Sequence, residues 1–203
     1  MPLRAIARFL IVLVVAAVTA QAPARAAADA PGFISDLGER AINVLTSTQS
    51  QADRESAFKK LFDEGFDVPG IARFVLGPYW RTATDAQKDE FTKLFEAYII
   101  HSYVVRFSAY SGQQLKVMGS RPEGDASLVN SQITGTNNSP PVKVDWRLTG
   151  RNGVYKISDV SVDGISMAVT QRSEFASVIQ HNGGQVQGLI TMLREKTAGS
   201  RAR

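Results

Sequence analysis

The chain has 203 residues, with 23 Lys or Arg, 19 Asp or Glu and no cysteine. This length is enough for one domain with a substantial core. The lack of cysteine excludes disulfide bonds, thiol catalysis and cysteine-bound metal.

A secretory signal peptide is predicted at the amino terminus. Arg4 and Arg8 precede an apolar run over residues 9–18, and residues 24–28 contain the A-x-A pattern of a cleavage site. A transmembrane anchor needs about 20 apolar residues, and this run has about half of that. We therefore expect residues 1–28 to be removed on export and residues 29–203 to form one soluble domain.

The net charge of +4 does not indicate a nucleic-acid partner. Arg4, Arg8 and Arg25 belong to the leader, and without them 20 basic residues face 19 acidic ones, a net charge of +1. A flexible tail is predicted over residues 197–203. We interpret the remaining basic residues as part of this tail or of the segment just before it: Arg194, Lys196, Arg201 and Arg203.

Helical periodicity dominates the first half of the mature chain. Two apolar stripes predict two amphipathic helices, the first with Phe33, Leu37, Ala41, Val44 and Leu45, the second with Phe58, Leu61 and Phe62.

Capping signals mark the two helices that follow. Asp67 can cap a helix with Pro69 in its first turn, and Gly77 and Pro78 are predicted to end it. The sequence from Thr84 to Gln87 is a capping box, which predicts the start of a long helix. Its apolar face holds Phe91, Leu94, Phe95, Tyr98, Ile99, Ser102 and Val105, and its polar face Lys88, Asp89, Lys93 and Glu96.

After Gly112 the apolar period becomes two. Four alternating segments separated by turn residues predict an antiparallel meander, extended by a fifth segment. The parity changes between Ile157 and Val160, which predicts a bulge near Asp159. Helix is expected again from Ser173 to His181 and, after a break at Gly183 and Gly184, to about Glu195. The predicted fold is α+β, an antiparallel sheet of about four to five strands covered by amphipathic helices.

No catalytic or metal site is predicted. Residues 164–168 come close to the G-x-S-x-G motif, and Glu174 and His181 follow Ser166 in the order of a hydrolase triad, but their spacing does not fit that architecture. His101 and His181 lack neighbouring ligands at metal spacing. Asp159 and Asp163 would lie about 13 Å apart on an extended segment, too far to share a substrate atom.

The order of motifs resembles the MlaC family of periplasmic phospholipid carriers. The resemblance runs from Phe33 to Lys196 and is carried by LFDEGFDVPGIARFVLGPYWRTATDAQKDEFTKLFEAYIIHSY, VDWRL, YKISDVSVDGISM, QRSEF and HNGGQVQGLITMLREK. It implies a strongly curved sheet with helices over its concave face, and a lipid pocket between the two layers.

Membership of that family would imply a non-enzymatic shuttle with phospholipid as cargo and no cofactor. Its partners would be an outer-membrane lipoprotein complex and an inner-membrane ABC transporter with a lipid-binding ring subunit, and its role the maintenance of outer-membrane lipid asymmetry. The lipid-binding residues expected on this basis are Phe74, Leu76, Tyr79, Trp80, Phe91, Phe95, Tyr98, Ile99, Tyr103, Val129, Val144, Trp146, Ile157, Val162 and Ile165.

Three alternatives stay open from the sequence. The cargo could be another hydrophobe, such as a hopanoid or other polycyclic lipid. The protein could instead be a periplasmic serine hydrolase using Ser166, or a structural envelope protein whose aromatic residues form an ordinary core.

Overall fold

The computed structural model describes residues 22–47, 50–107, 110–135, 140–151 and 154–198. The apolar run of the predicted leader and most of the predicted tail lie outside this part of the chain. The described helices are α1 (Ala22–Thr46), α2 (Gln51–Gly65), α3 (Val68–Leu76), α4 (Asp85–Phe107), α5 (Met167–His181) and α6 (Val186–Ala198), with a 3₁₀ turn at Gly77–Arg81.

The strands form one antiparallel sheet in the order β1-β2-β3-β4-β5. They are β1 (Gln114–Glu123), β2 (Ala126–Thr134), β3 (Val142–Arg151), β4 (Val154–Val162) and β5 (Ile165–Ser166). The α+β prediction and the meander of four strands with a fifth segment are confirmed.

The predicted bulge in β4 is confirmed as well. Ile157 lies opposite Leu148, but Asp159 lies opposite the next residue of β3, Arg147, so Ser158 is the extra residue. The bulge turns Val160 to the same face of the sheet as Trp146, its partner on β3.

Helix α1 covers much of the apolar face of the sheet. Ile34 and Leu37 are buried there, and the Phe33 ring lies 5.7 Å from that of Tyr155. A side chain at Gly38 would collide with Leu115, since a Cβ there would stand 2.5 Å from its Cδ2. The result is a sheet core formed by Ala30, Ile34, Leu37, Leu61, Val129, Leu148, Tyr155 and Ile157.

The remaining helices build a second, helical core. The Phe175 ring of α5 meets those of Phe91 and Phe95 nearly edge-on, at 5.8 and 6.2 Å. Helix α4 packs against α2, α3 and α6, and α5 packs against α3 and α6. Leu76, Ile179, Leu189, Ile190 and Leu193 complete the fully buried centre of this core.

The predicted caps form as expected. The Asp67 carboxylate accepts a hydrogen bond from the backbone N–H of Gly70 at 3.1 Å. Thr84 and Gln87 make the reciprocal pair of a capping box, with distances of 3.2 and 3.0 Å. These bonds fix the starts of α3 and α4.

Helix α5 begins at Met167, six residues before the predicted Ser173. Ser166 ends β5 and also caps α5, accepting a hydrogen bond from the backbone N–H of Val169 at 3.1 Å. The predicted start was wrong because β5 passes directly into α5, with no loop between Ser166 and Met167. Helix α6 runs on to Ala198, two residues into the predicted tail.

Candidate functional site

The structure divides the predicted lipid-binding residues between the two cores. Leu76, Phe91 and Phe95 lie in the helical core, with Tyr79, Trp80, Tyr98 and Ile99 packed against it. Val129 and Ile157 lie in the sheet core, with Trp146 packed against it. Val144 is buried, Tyr103 and Val162 are half-buried, and Phe74 and Ile165 are exposed.

The second half of α4 is incompletely packed. Every residue from Glu96 to Tyr103 is half-buried, whereas Phe95 and Val104 on either side are only 2% and 6% exposed. A helix on a well-packed core alternates between buried and exposed positions with its 3.6-residue period. Tyr98 and Ile99 of this stretch pack against the helical core but are not fully covered by it, as expected of positions beside a groove.

A second set of half-buried apolar side chains lies on the sheet. Val160 lies opposite Trp146, and Val162 lies opposite Val144 on the same apolar face. Trp146, Val160 and Val162 are each half-buried. We refer to these three residues with Tyr98, Ile99 and Tyr103 of α4 as the interlayer fringe.

A buried hydroxyl fixes the indole of Trp146. Its Nε1 donates to Ser131 Oγ at 2.9 Å, and that hydroxyl donates to the carbonyl of Val144 at 2.9 Å. Ser131 is itself almost fully buried. Because both polar groups have partners, the indole presents an apolar surface without an unsatisfied donor.

Helix α2 contacts both α4 and β4. Lys59 bonds Glu96 of α4 and also Asp63, and Lys156 of β4 donates to the carbonyls of Asp63 and Glu64 at 2.7 and 2.8 Å. Glu96, predicted on the polar face, is therefore largely covered. The hydrogen bond to Glu96 is the main cause that raises the pKa of Lys59, against the effect of burial.

A lysine with a raised pKa stabilises the fold below its ordinary pKa and loses that effect only as the pH rises through the raised value. The link between α2 and α4 is therefore intact at neutral pH. Helix α1 holds α2 in the same way, because Arg40 bonds Glu64, and this bond raises the pKa of Arg40.

His101 lies in the half-buried stretch of α4. Its Nδ1 is buried without a hydrogen-bond partner, and Glu55 Oε1 of α2 is 3.8 Å away. That distance exceeds a hydrogen bond. His181 is an ordinary polar contact, since its Nδ1 bonds the carbonyl of Ser177 at 2.7 Å.

A cavity of about 290 Å³ opens where the 3₁₀ turn and the start of α4 meet the start of α6. Of the predicted lipid-binding residues it includes Tyr79. Its lining is largely polar, which does not suit acyl chains: Tyr79, Thr82, Gln87, Gly184, Gln185 and Val186.

The structure does not assemble the hydrolase triad. Ser166 caps the start of α5 and donates to Asp159 at 2.6 Å. Glu174 and His181 follow on the same helix, so at 1.5 Å per residue they are about 12 and 22 Å along its axis from Ser166. Glu174 instead accepts a hydrogen bond from Gln171.

We expect Ser166→Ala to lower the free energy of unfolding by about 1 kcal/mol, the usual cost of losing an N-cap, and to leave bound lipid unchanged. Ser173→Ala, on the same helix but away from its start, provides the control and should have a smaller effect. Denaturant unfolding and lipid extraction measure the two quantities. An esterase activity that disappears in folded Ser166→Ala protein would instead support the hydrolase.

Two further features of the described residues are relevant to function. They contain no group of three or more His, Asp or Glu side chains arranged to hold a metal ion. None of their helices combines the length and apolar character that a membrane span requires.

Comparison with known proteins places this architecture in a family. The family model of the MlaC protein matches residues 36–195. The chain belongs to the MlaC family.

Two curated relatives have related sequences. Over 128 residues, 61% of this chain, it is 23% identical to the intermembrane phospholipid transport system binding protein MlaC of Haemophilus influenzae. Over 136 residues, 66% of this chain, it is 26% identical to the toluene tolerance protein ttg2D of Pseudomonas putida. The matched regions cover 59% and 63% of those proteins, so the chain spans about three fifths of the length of these relatives.

The fold is shared with a solved MlaC-like structure. A phospholipid-binding protein from Ralstonia solanacearum, solved in complex with a phospholipid, superposes with a TM-score of 0.72 at 22% identity. The match covers 86% of this chain and 99% of that one. The likeness confirms the α+β fold, an antiparallel sheet with helices.

Sequence reasoning missed several residues that shape this MlaC-family fold. Phe175 was not expected at the centre of the helical core, although its neighbours recur at helical spacing. Ser131 lies at a buried position of β2, but its bond to Trp146 depends on the pairing of β2 with β3. The ion pair of Lys59 with Glu96 joins separate helices, and no local pattern in the sequence reveals it.

Proposed function

We propose that this MlaC-family protein carries phospholipid across the periplasm between the outer and inner membranes. The observation that carries the proposal is the half-buried stretch of α4. The chain belongs to the MlaC family, and one of its relatives is named for phospholipid transport. The solved structure that shares the fold holds a phospholipid. The cargo binds without cofactor or chemical step.

The acyl chains lie along the interlayer fringe, between the second half of α4 and the sheet. Tyr98 and Ile99 extend the helical core toward this space, and Trp146 and Val160 extend the sheet core. The fully buried Phe91, Phe95, Val129 and Ile157 support these walls from behind. The phosphate head group stays near solvent.

The energetics explain why such a carrier needs docking partners. Burial of a methylene is worth about 0.8 kcal/mol against water, so a lipid with some 30 methylenes does not escape into the periplasm. Against a bilayer, which is equally apolar, the transfer is nearly neutral. Loading and release therefore occur in contact with another lipid-binding surface.

The proposed partners are an outer-membrane lipoprotein complex and an inner-membrane ABC transporter with a ring of lipid-binding subunits, and the transport maintains outer-membrane lipid asymmetry. The leader directs export and is removed, leaving a mature protein that starts at Ala27 or Asp29. Both starting points precede Ala30, which lies in the sheet core.

Organic extraction of the mature protein, followed by mass spectrometry, tests the proposal. We expect about one phospholipid per protein in material recovered from the periplasm, and an intact mass that begins at Ala27 or Asp29. If the extracted lipid were polycyclic, the protein would be a carrier of hopanoid-type lipids and not of phospholipid. A protein that contains no lipid and takes up none from vesicles would contradict the carrier function.

A further inference from the structure

One corner of the molecule gathers most of its exposed large apolar side chains. Among the described residues, Val142, Ile165, Val169 and Phe74 are 38%, 61%, 53% and 42% exposed. Scattered apolar side chains are normal on a surface, but a group of them at one place marks an interaction site.

Backbone bonds and side-chain contacts connect these residues. Asp163 at the end of β4 and Lys143 of β3 exchange hydrogen bonds of 2.9 and 3.1 Å, which brings Val142 to the turn that leads into Ile165. Arg172 lies one helical turn after Val169 on α5, and its guanidinium stands 5.2 Å from the centre of the Phe74 ring. We call Val142, Ile165, Val169 and Phe74 the apolar corner.

Basic side chains surround the apolar corner without acidic partners. Lys143, Arg73 and Arg172 are exposed, and none of them forms an ion pair with another described residue. The neighbouring carboxylates have other hydrogen-bond donors, since Asp145 accepts from Asn130, Asp163 from the backbone of Lys143 and Glu174 from Gln171. The three cations are therefore available to an anionic surface.

The apolar corner is continuous with the interlayer fringe. Val144, Val162 and Ile165 are successive cross-strand partners and lie on one face of the sheet. Val144 is buried, Val162 is half-buried and Ile165 is exposed, so a single apolar row runs from the sheet interior into solvent. A surface that receives the apolar corner also meets one end of the groove wall.

We propose that the apolar corner, with Lys143, Arg73 and Arg172, docks on the surface of an anionic phospholipid bilayer. Exposed aliphatic and aromatic side chains enter the interfacial zone, and basic side chains bind lipid phosphates. The contact places the end of the groove at the lipid surface. This inference goes beyond the proposed function, because it assigns a direct bilayer contact in addition to protein partners.

The charge contribution should be measurable. One Lys or Arg near an anionic leaflet changes the binding constant about fivefold. We therefore expect the triple change Arg73→Gln, Lys143→Gln and Arg172→Gln to weaken binding by about 100-fold at low ionic strength, and added salt to weaken binding of the unchanged protein. Ile165→Ser with Val169→Ser should reduce binding independently of salt.

Vesicle co-sedimentation tests the proposal with processed protein from the periplasm. Vesicles of phosphatidylcholine alone are compared with vesicles of phosphatidylcholine and phosphatidylglycerol in equal amounts. Lys60→Gln, Lys93→Gln and Lys116→Gln form a matched triple, because these lysines are exposed and unpaired within the described residues but lie elsewhere. Met118→Ser with Val154→Ser is the apolar control.

The proposal is supported if the unchanged protein prefers the anionic vesicles, if the corner variants lose this binding and if both control variants retain it. Equal binding by the corner and control triples would overturn the proposal, as would failure of the unchanged protein to bind anionic vesicles. A different result is that the corner triple binds vesicles normally but loses lipid transfer with membranes that contain the transporter. That result would overturn the proposal and make the apolar corner a protein-docking surface. Lipid content, measured separately by extraction, tests the carrier function.

Discussion

Ile99→Asp is expected to remove nearly all bound phospholipid while the protein stays folded. Ile99 is a half-buried residue of α4 and belongs to the interlayer fringe. A carboxylate that faces acyl chains without a partner costs several kcal/mol, and each 1.4 kcal/mol is a tenfold change in affinity. The affinity should therefore fall by more than about 100-fold, as measured by lipid extraction and by uptake from vesicles.

Lys93→Asp is the control for that prediction. Lys93 lies on the same helix, is exposed and makes no ion pair with the described residues, so its lipid content should be unchanged. Equal lipid loss in both variants, with lower thermal stability, would indicate general unfolding. Unchanged lipid in Ile99→Asp, and in charged variants at Tyr98 and Trp146, would show that the acyl chains lie elsewhere.

Phe175→Ala should produce the largest loss of stability of any single substitution considered. Its ring is almost fully buried and contacts the rings of Phe91, Phe95 and Tyr98. Truncating a buried phenylalanine to alanine costs about 3 to 5 kcal/mol, a large share of the roughly 5 to 15 kcal/mol by which a domain is stable. Denaturant unfolding of lipid-free protein measures the loss.

Phe74→Ala is the matched control for this loss, because Phe74 is exposed and packs chiefly against Arg172. It should cost about 1 kcal/mol or less. If the two variants lost the same stability, Phe175 would not be the centre of the helical core.

The features that could be predicted from the sequence are those determined by neighbouring residues. Asp67 and Thr84 cap helices because their partners, Gly70 and Gln87, are three residues away. The bulge in β4 changed the parity of the residues around it. The start of α5 was misplaced because Ser166 serves a strand and a helix at once, and neither periodicity alone reveals such a residue.

The distinction between core and groove depends on residues far apart in the chain. Phe91 and Tyr98 are two helical turns apart on one face of α4, yet the first is fully buried and the second is not. The difference arises from what each meets on α5, α6 and the sheet. An aromatic stripe therefore predicts an apolar face, while its division into packed core and groove wall requires the tertiary structure.

The pattern of contacts through β4 has a mechanical consequence. Helix α1 packs on β1, β2 and β3, while α2, α3 and α5 contact β4. The backbone N–H of Asp67 bonds the carbonyl of Ile157, and Asp159 accepts from Ser166 and from the backbone of Ala168. Apart from the link through α2 to α1, the helical core therefore meets the sheet mainly at β4 and β5, which makes this edge of the sheet a candidate hinge.

A hinge of this kind lets the groove change width without disturbing either core. A rigid void of several hundred Å³ would cost roughly 24 cal/mol per Å³, comparable to the stability of the whole domain. We expect rotation of the helical layer about β4 to remove that void when cargo leaves and to restore it when cargo enters. In such a rotation the side chains within each core would keep their neighbours, so one sequence could maintain two well-packed states.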